Sequence, residues 1–127
     1  MNNTRINPSS MGGEPAAYSN GILSKAPSTL YVAGQIGIDA QGVASTDFET
    51  QTRQTWKNIE AILAEAGMTL QDIVKTTIYL VDRADYATFA KVRAEVLNGH
   101  KPASTLVYVS GLVKPEWKVE IDVIAAR

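Results

Sequence analysis

The C-terminal run WKVEIDVIAA, residues 117 to 126, places Lys118, Glu120 and Asp122 between Trp117, Val119, Ile121, Val123 and Ala125. Strict period-two alternation of this kind marks a strand with one apolar and one polar face. It also sets a pair of carboxylates one step apart on a rigid element. Buried without donors or a cation, such a pair is costly, so the polar face either lies in water or lines a site. What a carboxylate offers in a site is the positioning or deprotonation of a water, for which it must be ionised near neutral pH and stand within about 3 Å of that water.

Other reactive groups are few. The chain has no cysteine, which removes disulfides, thiolate nucleophiles and Cys-based zinc sites together. Its one histidine, His100, lies between Gly99 and Lys101 in a predicted loop, is expected to be exposed, and cannot alone form a typical metal cluster. Lysine and arginine are scattered and the formal net charge is -1, so no basic footprint for a polyanion is visible and nucleic-acid binding is not expected. At 127 residues, 45% hydrophobic and 20% charged, the chain reads as one globular domain spanning 1–127. The start, MNNTRINPSSMGG, has no apolar targeting core, and no later stretch approaches the ~18 apolar residues of a membrane span. A cytoplasmic, non-membrane protein is expected.

The elements that must position Glu120 and Asp122 follow from periodicity. Residues 1–14 lack it and are expected to be flexible or peripheral. Tyr18 to Lys25 and Thr29 to Ile38 suit strands, with Ala26-Pro27-Ser28 as the turn of a first hairpin. Gly34-Gln35 interrupts the second strand, as at a bulge or a close backbone approach. Thr46 and Glu49 match a capping box, after which Phe48, Thr52, Trp56, Ile59, Ile62, Leu63 and Ala66 recur at helical spacing, with Gly67 as the stop. Trp56 reads as a core side chain.

Ile73 to Val81 is rich in β-branched residues and apolar on both faces, as a central strand covered on each side would be. A second helix follows Asp82, with Tyr86, Phe89, Val92 and Val96 as its core stripe and Gly99 as its end. The runs 104–113 and 117–126, joined at Lys114-Pro115-Glu116, predict a closing hairpin. The order ββαβαββ, with helix crossovers on one face of a mixed sheet, predicts a two-layer α/β sandwich. An uncovered, apolar sheet face in turn predicts oligomerisation through that face.

The series YSNG (18–21), LYVAGQIG (30–37), QTRQTWKNIEAILAEAGMTLQDIVKTTIYLVD (51–82), HKPAST (100–105) and WKVEIDVIAA (117–126) resembles the RidA family, also called YjgF, over nearly the whole chain. The resemblance implies a chorismate-mutase-like fold and a homotrimer with small-molecule clefts at its subunit boundaries. In the best-known branch it implies a deaminase, a hydrolase that converts reactive enamines and imines to a 2-oxo acid and ammonia without cofactor or metal.

By the same resemblance Tyr18 matches the cleft tyrosine, Gly34 and Gln35 the strand motif beside the cleft, and Glu120 the glutamate that holds a water near the imine carbon. Glu120 is thus the catalytic candidate; its alternative role is a solvent-facing strand carboxylate paired with Lys118. The segment Pro102-Ala103-Ser104-Thr105 supplies the binding candidates Ser104 and Thr105. Here the chain departs from the pattern, because the branch carries at the position of Ser104 an arginine that pairs with the substrate carboxylate. Serine offers one hydrogen bond and no charged fork. Ala90 likewise stands where the branch has an asparagine. Either another cation, Lys101 or Arg93, reads the carboxylate, or the clefts bind a metabolite or partner without catalysis. Some members are linked to RNA cleavage, for which the charge balance here is unsuited.

Overall fold

The computed structural model describes residues 2–127. Its strands are β1 (Asn3–Ile6), β2 (Gly21–Ser24), β3 (Thr29–Ile36), β4 (Ile73–Leu80), β5 (Ala103–Tyr108) and β6 (Val119–Ala126), and its helices are α1 (Phe48–Glu65) and α2 (Tyr86–Leu97). The predicted ββαβαββ order is present, preceded by one further strand. The main sheet has four strands in the order β3-β6-β4-β5, and β1 and β2 form a separate two-stranded sheet. β6 runs antiparallel to both neighbours, and β4 and β5 are parallel with α2 as their crossover.

Both predicted hairpins are corrected. β2 pairs with β1 rather than with β3, so Asn3–Ile6 of the 1–14 stretch forms a strand, largely exposed and outside the main sheet. At the other end β5 and β6 do not touch as partners, because β4 lies between them. The reason is burial. Val119, Ile121, Val123 and Ala125 form a fully buried row, and the sheet centre is the place where a helix layer can cover such a row from end to end. Residues 109–118 are long enough to carry the chain over β4 to that position.

α1 begins one residue away from the expected cap. Asp47 is the N-cap, and its carboxylate accepts from the Thr50 amide at 2.9 Å and from the Thr50 hydroxyl at 2.7 Å. An ionised acceptor outcompetes the Thr46 hydroxyl, and it complements the positive helix terminus. Glu49, freed from any capping box, pairs with Arg53 one turn on at 2.9 Å. The helix ends at Ala66, followed by Gly67 at φ 73°. α2 stops at Asn98 and Gly99, which both take left-handed backbone at φ 45° and 87°.

The core lies between the helices and one sheet face, where Trp56, Ile59 and Leu63 of α1 and Phe89 and Val92 of α2 meet Ile78, Leu80, Val119, Ile121 and Val123. Tyr86 is not part of this stripe and is 43% exposed. β4 is also not apolar on both sides. Thr76, Ile78 and Leu80 are buried, whereas Lys75, Thr77 and Tyr79 alternate with them and are half-buried. β4 itself is therefore polar on its open side, which corrects the expected all-apolar strand, while the same sheet face also carries Tyr31, Val107 and Ile124 from its neighbours. Among the described residues no helix is long and apolar enough to cross a membrane.

Candidate functional site

Glu120 lies on β6 between Ile36 of β3 and Tyr79 of β4. Strand alternation turns Val119 and Ile121 under the helices, so Glu120 and Asp122 project from the open face. There Tyr79 donates to the Asp122 carboxylate at 3.2 Å. The charge of Asp122 raises the Tyr79 hydroxyl above its ordinary value, with burial, that hydrogen bond and the charge of Glu120 adding to the effect. Tyr79 thus remains a neutral donor. Glu120 itself is half-buried, and among the described residues no side chain donates to it or pairs with it. The Lys118 partner of the alternative reading is not in place, and the carboxylate keeps its lone pairs for a water or ligand.

Gly34 explains how the carboxylate fits. A Cβ on residue 34 would fall on the Glu120 carboxylate and 3.2 Å from its Cγ, so only a glycine lets this side chain lie against β3. The register shift between Val32 and Gln35 marks the bulge that brings residue 34 there. Gln35 follows the bulge, half-buried, with its amide donating to the Ala33 carbonyl at 3.0 Å. Gln51, buried on α1, anchors the start of β6: its side chain accepts from the Lys118 amide at 2.7 Å and donates to the Glu116 carbonyl at 3.1 Å. Asn58 similarly ties the end of β3 to α1 through the carbonyls of Ile36 and Ile38. These two amides fix Glu120 and its strand relative to the helix layer.

Tyr18 and Ser104 belong to a different place. Ser19 is buried, and its amide donates to the Pro102 carbonyl at 3.0 Å while its hydroxyl donates to the Lys101 carbonyl. This bridge lays residues 18–20 along the edge of β5 and leaves the Tyr18 ring 40% exposed beside it. Ser104 accepts from the buried Thr76 hydroxyl at 2.9 Å, which turns it toward the helix side. Thr105, the next residue, accepts from Lys75 Nζ at 2.7 Å on the open face.

The expected residues therefore fall into separate groups. Glu120, Gly34 and Gln35 gather where β3 meets β6; Tyr18 and Ser104 gather at the β5 edge. With β4 between β6 and β5, the groups are about 10 Å apart across the strands, and Ser104 leaves the face opposite to Glu120. Within one chain a cation at position 104 would not stand opposite Glu120, contrary to the simple picture of one cleft. His100 is also corrected: its Nε2 lies 2.7 Å from the Ile73 carbonyl, so the ring is a half-buried link between the α2–β5 loop and β4. Sequence reasoning overlooked Tyr79, Gln51 and Asn58. The only signal for the two amides was a polar residue within or beside an apolar helix stripe. Among the described residues no three acidic or histidine side chains gather as metal ligands would.

Comparison with known proteins gives a consistent relationship. A model of the endoribonuclease L-PSP family matches residues 11–127. A RutC family protein of Pyrococcus horikoshii is 44% identical over 112 residues, covering 87% of this chain and 86% of that one. The 2-iminobutanoate/2-iminopropanoate deaminase of Salmonella typhimurium is 36% identical over 104 residues, covering 79% of this chain and 80% of that one. A solved structure of a conserved Rid-family protein of unknown function from Yersinia pestis superposes with a TM-score of 0.89 at 30% identity, covering 100% of both chains.

Proposed function

The chain belongs to the endoribonuclease L-PSP family, the group also called RidA or YjgF, and from that premise we propose that it hydrolyses a small reactive imine or enamine to a carbonyl compound and ammonia. The observation that carries this reading is the Glu120 carboxylate, half-buried against Gly34 with no protein donor of its own. The relative named as an iminobutanoate and iminopropanoate deaminase supports it at the level of the family.

The chemistry asks for little more. A water oxygen adds to the carbon of the protonated imine while one of its protons passes to Glu120, giving a neutral carbinolamine. The carboxyl then returns that proton to nitrogen, the C–N bond breaks and ammonia leaves, and the remaining hydroxyl proton passes to the freed Glu120 carboxylate as the carbonyl forms and from there to solvent. One water is consumed and no electrons are exchanged. Because Glu120 and Ser104 leave opposite faces of the sheet, a cleft that uses both draws them from neighbouring copies, as in a homotrimer with its ligand sites at subunit boundaries. RNA cleavage, which the family's formal name suggests, is a poor fit to a net charge of -1 without a basic stripe.

The test generates imines from several amino acids with an amino-acid oxidase and follows their disappearance with and without the protein. Faster loss of at least one imine is expected. No acceleration with any of them would leave a ligand-binding trimer without catalysis.

A further inference from the structure

Between α2 and residues 15–17 lies a cleft of about 340 Å³ whose walls include Ala16, Ala90, Ala94 and Leu97. It adjoins Tyr18 in sequence on one side and the 100–104 segment on the other. Arg93 lines it. The residue is 9% exposed, its guanidinium carbon stands 5.5 Å from the centre of the Phe89 ring, and among the described residues no carboxylate, hydroxyl or carbonyl is hydrogen-bonded to it.

The residue is largely buried, but its guanidinium nitrogens still reach solvent through the cleft, so its donors face a space that a ligand can enter. The Phe89 ring engages only the face of the guanidinium plane. The N–H donors around its edge are the groups that grip a carboxylate with paired hydrogen bonds, and here they are unspent. Lys101 lines the same cleft and brings a second positive charge. Its Nζ lies 3.2 Å from the Pro15 carbonyl and 3.5 Å from Glu14, a carboxylate that Arg5 already holds at 2.9 Å. The cleft therefore combines unsatisfied positive charge with small apolar walls.

We propose that Arg93 is the carboxylate-reading residue of this chain: it binds the carboxylate of a small acid with a short apolar tail, Lys101 adds attraction, and the tail lies against the alanine wall. Arg93 thereby supplies, from α2, the anion contact that Ser104 cannot. The binding site stands on the structure alone; it rests on the hydrolase reading only for the kind of acid, a 2-oxo acid being the product when an imino acid is hydrolysed.

The experiment titrates the intact protein with 2-oxobutanoate, and with 2-butanone as its uncharged counterpart, by calorimetry. Native protein should saturate with the acid and not with the ketone. Arg93→Gln should weaken binding at least 10-fold, and Arg93→Lys should fall between, since it keeps the charge without the fork. Unliganded Arg93→Gln should melt close to native protein, because the guanidinium has no hydrogen-bond or ion-pair partner among the described residues to lose. Unchanged affinity in Arg93→Gln, equal binding of acid and ketone, or no binding of the acid at all would overturn the assignment. So would a variant that melts well below native, which would mean that the guanidinium is a structural group. Imine hydrolysis measured on the same samples separates the two readings. Acid binding that depends on Arg93 without any hydrolysis removes the deaminase reading alone, whereas hydrolysis that proceeds while acid affinity is indifferent to Arg93→Gln removes the Arg93 assignment alone.

Discussion

The four-stranded sheet turns one face to the helices and the other away from them, and the two faces are made of alternate residues of the same strands. On β6, Val119, Ile121, Val123 and Ala125 are buried in the dry layer under α1 and α2. Interleaved with them, Glu120 and Asp122 meet Tyr79 on a half-exposed polar surface. The covered face obtains its stability from area removed from water and close packing, which tolerate little change. The open face has few contacts to lose, so an ionisable group can remain there without a protein partner. A rigid strand anchored by one face thus presents chemistry on the other.

The largest expected effect breaks the covered face. Trp56→Ala removes a side chain that is 1% exposed and should cost about 3–5 kcal/mol in a urea melt; a loss below about 1 kcal/mol would mean that the packing has been misjudged.

Two glycines on and beside β3 sharpen the contrast. A Cβ at Gly37 would collide with the backbone carbonyl of Gln51, which cannot swing aside, so Gly37→Ala should cost about 1–3 kcal/mol. A Cβ at Gly34 meets only the Glu120 side chain, which can. Gly34→Ala should therefore cost under about 1 kcal/mol while displacing the carboxylate and lowering imine hydrolysis. Equal destabilisation by the two changes would erase the distinction between the faces.

The smallest effect is electrostatic and lies at the solvent edge of the helix layer. Hydrogen bonds from the Thr50 hydroxyl and amide hold Asp47 below its ordinary value, and hydrogen bonds from Arg53 and Lys91 do the same for Glu49. A carboxylate with a lowered folded-state pKa contributes stability that is present above its unfolded-state value and is lost as the pH falls through the folded one. A modest decline in melting temperature below about pH 4 is expected. Asp47→Asn should flatten that decline while keeping a cap, and an unchanged acid limb in this variant would count against the assignment.

How much of this was legible in the sequence differs between the faces in the same way. The covered face announces itself: alternation in 117–126 and the helical stripe from Phe48 to Leu63 arise because burial selects apolar residues at fixed spacing. Strand pairing does not. The 18–25 and 29–38 runs carry strand patterns and a turn between them, yet they go to different sheets, since alternation describes a strand's faces and says nothing of its edges. The same limit hid the insertion of β4 between β5 and β6. On the open face Glu120 and Gly34, identified by resemblance, do meet, whereas Gln35 is paired with the core residue Ile121 and Ser104 with Thr76, orientations that depend on register. Arg93 was visible in the sequence as one of two cations, with Lys101, that could read a carboxylate. Its distinction, burial without an oxygen partner, exists only once α2 is packed.

The central claim, that the open face bears the base while the covered face bears the stability, is tested most directly by Glu120→Gln assayed for imine hydrolysis and urea stability on the same sample. The account predicts a loss of rate of about 100-fold or more with the unfolding midpoint unchanged, because the side chain has no protein partner to lose. An unaltered rate, or a rate that falls only in step with stability, would contradict it.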